Sequence, residues 1–166
     1  MKRNLYFLLS GLGILLWACD NDDQYPDQPQ INYLSSNIID STDVLGNELK
    51  VCRLRFEFTD GDGDIGLKEE DTLAPFNQGS IYYNNLWVDY FEWKDSVFVE
   101  RELEPPYDGR IIYLTPDGQN KTLIGTITYD MDISGLDADT FKLEVQLIDR
   151  ALNESNLLVT PPILVN

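Results

Sequence analysis

The 166-residue chain carries 29 acidic against 12 basic side chains and no histidine, a formal charge of −17. A polyanion of this density is repelled by phosphate backbones and anionic lipid, which excludes nucleic acid as a partner and leaves cations, neutral glycans and basic protein surfaces. Lack of histidine removes the usual zinc ligand and the usual general base at neutral pH. At the N-terminus, Met1-Lys2-Arg3 is a short basic stretch before the apolar run Leu5 to Leu16. That run falls short of the roughly 20 residues a membrane span needs. With Ala18 directly before Cys19 it predicts a signal peptide over residues 1–18.

The segment Leu16-Trp17-Ala18-Cys19 resembles a bacterial lipoprotein box, aliphatic three positions before the cysteine and small just before it, although Trp17 is bulkier than such a box usually carries. The likeness implies cleavage before Cys19 and lipidation of its sulfur. An acyl chain contributes about 0.8 kcal/mol per buried methylene, and two or more chains anchor stably. Asp20-Asn21-Asp22-Asp23 resembles the surface-export signal of Bacteroidetes lipoproteins; it also reads as a solvated acidic spacer. Residues 19–30 are expected to form a polar, proline-containing tether, and 31–166 a single folded domain. The expected location is the outer membrane, lipid-anchored and exposed at the surface.

Beyond the tether, alternation and β-branched or aromatic enrichment replace any helical period. Strands are predicted near 31–34, 49–59, 80–92, 96–103, 110–115, 122–132, 140–149 and 156–165, separated by turn-forming segments such as Asp60 to Gly63 and Asp149 to Asn156. Seven to eight short strands with this punctuation predict an all-β antiparallel sandwich, immunoglobulin-like in type. Pro161-Pro162 places the last strand at an edge or bulge. Cys52 shares one strand face with Leu54, Phe56 and Phe58 and reads as a small buried apolar residue. The stretch from Ser80 to Glu102 has apolar residues on both faces: Trp87, Phe91 and Trp93 on one, Leu86, Val88 and Tyr90 on the other. One set must face the core; the other is covered by a loop or exposed as an aromatic surface, with Tyr83, Trp87 and Trp93 the candidate platform for a sugar or protein.

The densest chemistry lies in Thr59-Asp60-Gly61-Asp62-Gly63-Asp64-Ile65-Gly66-Leu67. Two carboxylates about 4 Å apart cost roughly 4 kcal/mol at an effective dielectric near 20, and a divalent cation reverses the sign. Calcium takes six to eight oxygens from flexible loops, and glycines let the backbone curl around the ion. The start matches an EF-hand loop, but Ile65 stands where that loop needs glycine, Asp71 stands at the twelfth position, and a strand precedes it. Leu147 to Asn156 supplies Asp149 and Asn153, which a sandwich can bring to the same pole. The predicted metal set is Asp60, Asp62, Asp64, Asp149 and Asn153, with calcium as the ion. A splayed, solvated turn, or Arg150 paired with one of these aspartates, is the competing explanation.

The strand ending F-x-DGDGDIGL, the segment NLWVDYFEW, the later L-x-G-x-I and the closing DRA-x-N-x-SN…T-x-x-I together resemble a group of uncharacterised Bacteroidetes lipoproteins. The resemblance covers nearly all of the chain after the leader. It implies a surface or outer-membrane lipoprotein with an all-β domain, and no known activity. Function is expected to be non-enzymatic binding or scaffolding at the surface, reached through the lipid anchor, with a surface glycan or protein as partner. The alternative is a glycan-binding or glycan-hydrolysing module that uses the aromatic platform or a carboxylate pair.

Overall fold

Apolar residues at every second position fix the two central strands. In β2 (Glu48–Asp60), Cys52, Leu54, Phe56, Phe58 and Asp60 point inward while Arg53, Arg55 and Glu57 point out. In β6 (Thr140–Leu147), Phe141, Leu143, Val145 and Leu147 are buried between half-covered Lys142, Glu144 and Gln146. Each buried side chain of this size contributes about 1.5–3 kcal/mol by leaving water. This computed structural model describes residues 25–114 and 121–165. The expected signal peptide, Cys19 and the Asp20 to Asp23 run lie outside the described residues.

The remaining strands are β1 (Gln30–Thr42), β3 (Leu86–Lys94), β4 (Val97–Glu100), β5 (Leu123–Asp132), β7 (Leu158–Val159) and β8 (Ile163–Leu164). They form two antiparallel sheets, β1-β2-β5 and β4-β3-β6-β7, with β8 also paired to β6. One hydrophobic core fills the space between them, combining Leu54 and Phe56 of the first sheet with Tyr90, Leu143 and Val145 of the second. The described residues thus form an all-β sandwich of eight strands. Asp95 (φ 48°) and Ser96 (φ 69°) turn β3 into β4, the left-handed pair that matches strand twist in a two-residue hairpin.

Four expectations need correction. The strand expected over 31–34 runs to Thr42, because pairing along the whole of β2 holds polar Ser35, Ser36 and Asn37 in the ladder, past a bulge between Tyr33 and Ser35. Residues 80–85 are turns rather than strand; β3 starts at Leu86, after buried Asn85. The expected 110–115 strand joins no sheet as a named strand; among its described residues it makes an isolated parallel bridge, Leu67 to Ile112. The expected 156–165 strand breaks into β7 and β8 around Pro161-Pro162, which cannot donate to a ladder.

Candidate metal centre

The inward row of β2 ends Phe56, Phe58, Asp60, and the inward row of β6 continues past its end through Leu147 to Asp149. Parity alone therefore places one carboxylate from each sheet at the same pole of the core. Both are buried, Asp60 at 0% and Asp149 at 1% exposure. The loops that follow are joined by an antiparallel bridge between Ile65 and Asp149, with the Ile65 side chain buried beneath them. Gly63 takes a left-handed φ of 68° between two of the aspartates, a conformation an L side chain resists.

The result is a cluster of Asp60, Asp62, Asp64 and Asp149 in which one carboxylate oxygen from each lies within 4.8 Å of all the others. That distance is the diameter of a coordination shell of about 2.4 Å radius, within the calcium–oxygen range. One oxygen each of Asp60, Asp62 and Asp64 (Oδ1 in every case) is buried without a hydrogen-bond partner among the described residues. Buried polar atoms are nearly always paired, so three orphan carboxylate oxygens on residues of one cluster make it a place that could hold a metal ion. The donor set fits a hard cation.

Hydrogen bonds hold the carboxylates of Asp60 and Asp149 in place. Asp60 Oδ2 accepts from the backbone N–H groups of Asp64 (2.8 Å) and Ile65 (3.2 Å). Asn153 donates to Asp149 twice, from its backbone N–H (2.7 Å to Oδ1) and its side-chain amide (2.8 Å to Oδ2). Asn153, expected as a ligand, is thus found holding Asp149 in place. Arg150 does not pair with any of the four; its guanidinium lies 3.6 Å from Asp71 and over the Tyr113 ring. None of the ion pairs among the described residues involves the four aspartates. Glu92 shows the contrast: equally buried, it is paired with both Lys94 and Arg101.

The electrostatics follow from that lack of countercharge. Burial, then repulsion from Asp62, lifts the Asp60 carboxyl to about 7, against the pull of its two backbone donors. Burial, then the charges of Asp149 and Asp62, raises Asp64 to about 6, opposed by the N–H groups of Arg150 and Ala151. Asp149 is raised as well, chiefly by burial, while Asn153 restrains the shift. At 4.8 Å two such charges repel by roughly 3.5 kcal/mol at an effective dielectric near 20. A divalent ion converts each repulsion into a shared attraction.

Two supports were not legible in the sequence. Asn85, buried between β3 and the loops, accepts from Ile111 N–H (2.7 Å) through its side chain and from Ile148 N–H (2.8 Å) through its backbone, fixing the approach to Asp149. The stretch from Ile111 to Leu114 straps the acidic loop by bonds with Leu67 and Ile65. Only the double asparagine at 84–85, poor strand formers amid aromatics, hinted at the first.

The aromatic candidates separate. Leu86, Val88 and Tyr90 face the core, so Trp87, Phe91 and Trp93 share the outer face. Trp87 is half-buried and stacks on Tyr82, with ring centres 6.2 Å apart. Tyr83, 40% exposed, lies instead against Arg110. Trp93, 48% exposed, packs edge-on to Phe98. Six residues of strand put Trp87 and Trp93 about 20 Å apart, with Phe91 between them under Lys142. They form no single platform. Comparison with protein-family models, with curated proteins and with solved structures returns no match.

Proposed function

We propose that this chain is a calcium-stabilised β-sandwich, lipid-anchored through Cys19 at the outer membrane, displayed on the cell surface, and engaged there in binding or scaffolding rather than catalysis. The observation that carries the metal half is the set of three buried, unpartnered carboxylate oxygens gathered with Asp149. Four carboxylates at one site suit calcium; magnesium usually takes one or two and keeps its waters. An all-oxygen donor set disfavours the metals that prefer thiolate or imidazole. Because Asp60 ends a strand of one sheet and Asp149 lies two residues past a strand of the other, the ion would tie the two layers together at one pole. The anchor half rests on the Leu16-Trp17-Ala18-Cys19 box and the acidic run after it, and on the resemblance to Bacteroidetes lipoproteins. The strand order, with the first, second and fifth strands in one sheet and the rest in the other, supports the immunoglobulin-like reading.

Thermal melts of the purified chain in calcium and in chelator test the metal half. Calcium is expected to raise the melting temperature, and Asp62→Ala to remove most of the gain. Identical curves in the two conditions count against it.

A second reading, glycan binding or hydrolysis, is favoured by a groove of about 220 Å³ beside β3 lined by Asp89, Glu100 and Asp108. Partial burial, then Glu100, Asp108 and Glu144, raises the Asp89 carboxyl, the direction in which the acid of a glycoside-hydrolysing carboxylate pair is tuned. New reducing ends from a glycan panel, lost in Asp89→Asn, would establish that reading.

A further inference from the structure

The chain enters the sandwich at the pole where the aspartates sit, and both acidic loops grip it there. Gly61, between Asp60 and Asp62, donates its N–H to the Pro26 carbonyl at 2.8 Å. The approach is so close that a Cβ on Gly61 would lie 2.2 Å from the Tyr25 carbonyl oxygen. From the other loop, the Glu154 carbonyl accepts the Gln28 amide at 2.6 Å. Asn156 brackets Ile31, its Oδ1 accepting the Ile31 N–H (2.8 Å) and its Nδ2 donating to the Ile31 carbonyl (2.9 Å). The Asp149 loop is itself folded back through Asn153 and the bridge between Ile148 and Glu154. Segment 26–31 therefore has one set of partners on the loop of Asp60, Asp62 and Asp64 and another on the loop of Asp149.

We infer that the cation at this site governs the docking of residues 26–31: the occupied site clasps the segment, and the empty site releases it. The inference rests on the metal reading proposed above and extends it to regulation. With the ion bound, the two loops are held at one separation and the segment can satisfy both. Without it, the buried carboxylates repel across the Ile65–Asp149 bridge, and a segment bonded to both loops cannot follow both. Release of six residues adds up to about 20 Å of extended chain between the sandwich and whatever precedes residue 26. Coupling of this kind is reciprocal, so weakening the clasp must weaken cation binding by the same factor.

The test is hydrogen exchange on the full chain in detergent, in saturating calcium and in chelator, with calcium affinity measured by titration calorimetry on the same preparation. Chelation is expected to speed exchange at Gly61 and across 26–31 by about tenfold more than at β6, as local opening requires. Asn156→Ala is expected to weaken calcium binding about tenfold, and Gln28→Ala, whose side chain is exposed and whose loss spares the core, to weaken it in the same direction. Calcium binding with no change at 26–31, or with a change merely parallel to β6, overturns the inference and leaves the metal centre standing. So does unaltered affinity in both variants. No calcium binding at all removes the metal centre and the clasp together.

Discussion

Asp60→Asn separates a metal cage from an ordinary buried carboxylate, because the two accounts differ in sign. The Asp60 carboxyl lies at about 7 in the folded chain against an ordinary 3.8. At about 1.36 kcal/mol per pKa unit, holding it ionised costs the ion-free fold roughly 2–4 kcal/mol at neutral pH. Asparagine keeps the shape and keeps an oxygen for the N–H groups of Asp64 and Ile65. Its amide N–H can donate to the neighbouring carboxylates, whose oxygens lie within 4.8 Å. In chelator the variant is therefore expected to melt on the order of 10 °C above the parent. In calcium the order reverses. The parent gains about 4.1 kcal/mol when the ion stands at a thousand times its dissociation constant, more than the roughly 2–4 kcal/mol the variant saves, whereas the variant has lost one of four charged ligands and gains little. The assay is calorimetric melting of both proteins in both conditions at pH 7. If Asp60→Asn lowers the melting temperature equally with and without calcium, the repulsion argument is wrong and the carboxylate is merely a structural hydrogen-bond acceptor.

Other consequences are testable alongside. In chelator, stability falls as pH rises from about 4 to about 7, because the folded chain holds protons on Asp60 (about 7) and Asp64 (about 6) that the unfolded chain releases near 3.8. In calcium that decline is absent and affinity climbs over the same range; pH-dependent melting curves check both. Asn153→Ala, which removes the amide donor to Asp149 Oδ2 and leaves the backbone donor to Oδ1, is expected to weaken calcium binding about 10- to 100-fold, the usual effect of losing a group that orients a ligand, as read by titration. Cys19→Ser should release the protein from membrane fractions and abolish an acyl mass increment; retention of the variant in membranes would defeat the anchor.

How far the sequence revealed these features depended on whether a residue's role was set by period or by partner. Alternation in β2 and β6 made the core rows legible, and parity carried those rows to Asp60 and Asp149, so the cluster could be anticipated. The three loop aspartates announced themselves through spacing and glycine. The full length of β1 is not legible because Ser35, Ser36 and Asn37 carry no apolar signal; backbone pairing along β2 supplies what their side chains do not. The stretch after Arg110 read as strand because extended, apolar residues look alike whether they join a sheet or strap a loop. Asn153 offered an oxygen and an amide alike, and only the geometry decides that the amide faces Asp149. Tyr82 rather than Tyr83 stacks on Trp87 because neither lies in a strand, so parity did not apply. Arg150 was equally open until Asp71 and Tyr113 came into reach.

The most direct test of the central claim is calcium titrated into the chelated chain at pH 7 by isothermal calorimetry, with the ion's stoichiometry as the readout. One calcium per chain is expected, and Asp149→Asn, the contribution of the second sheet, is expected to lose most of the affinity. No saturable heat in the parent, or full affinity in the variant, would contradict an ion held between the two sheets.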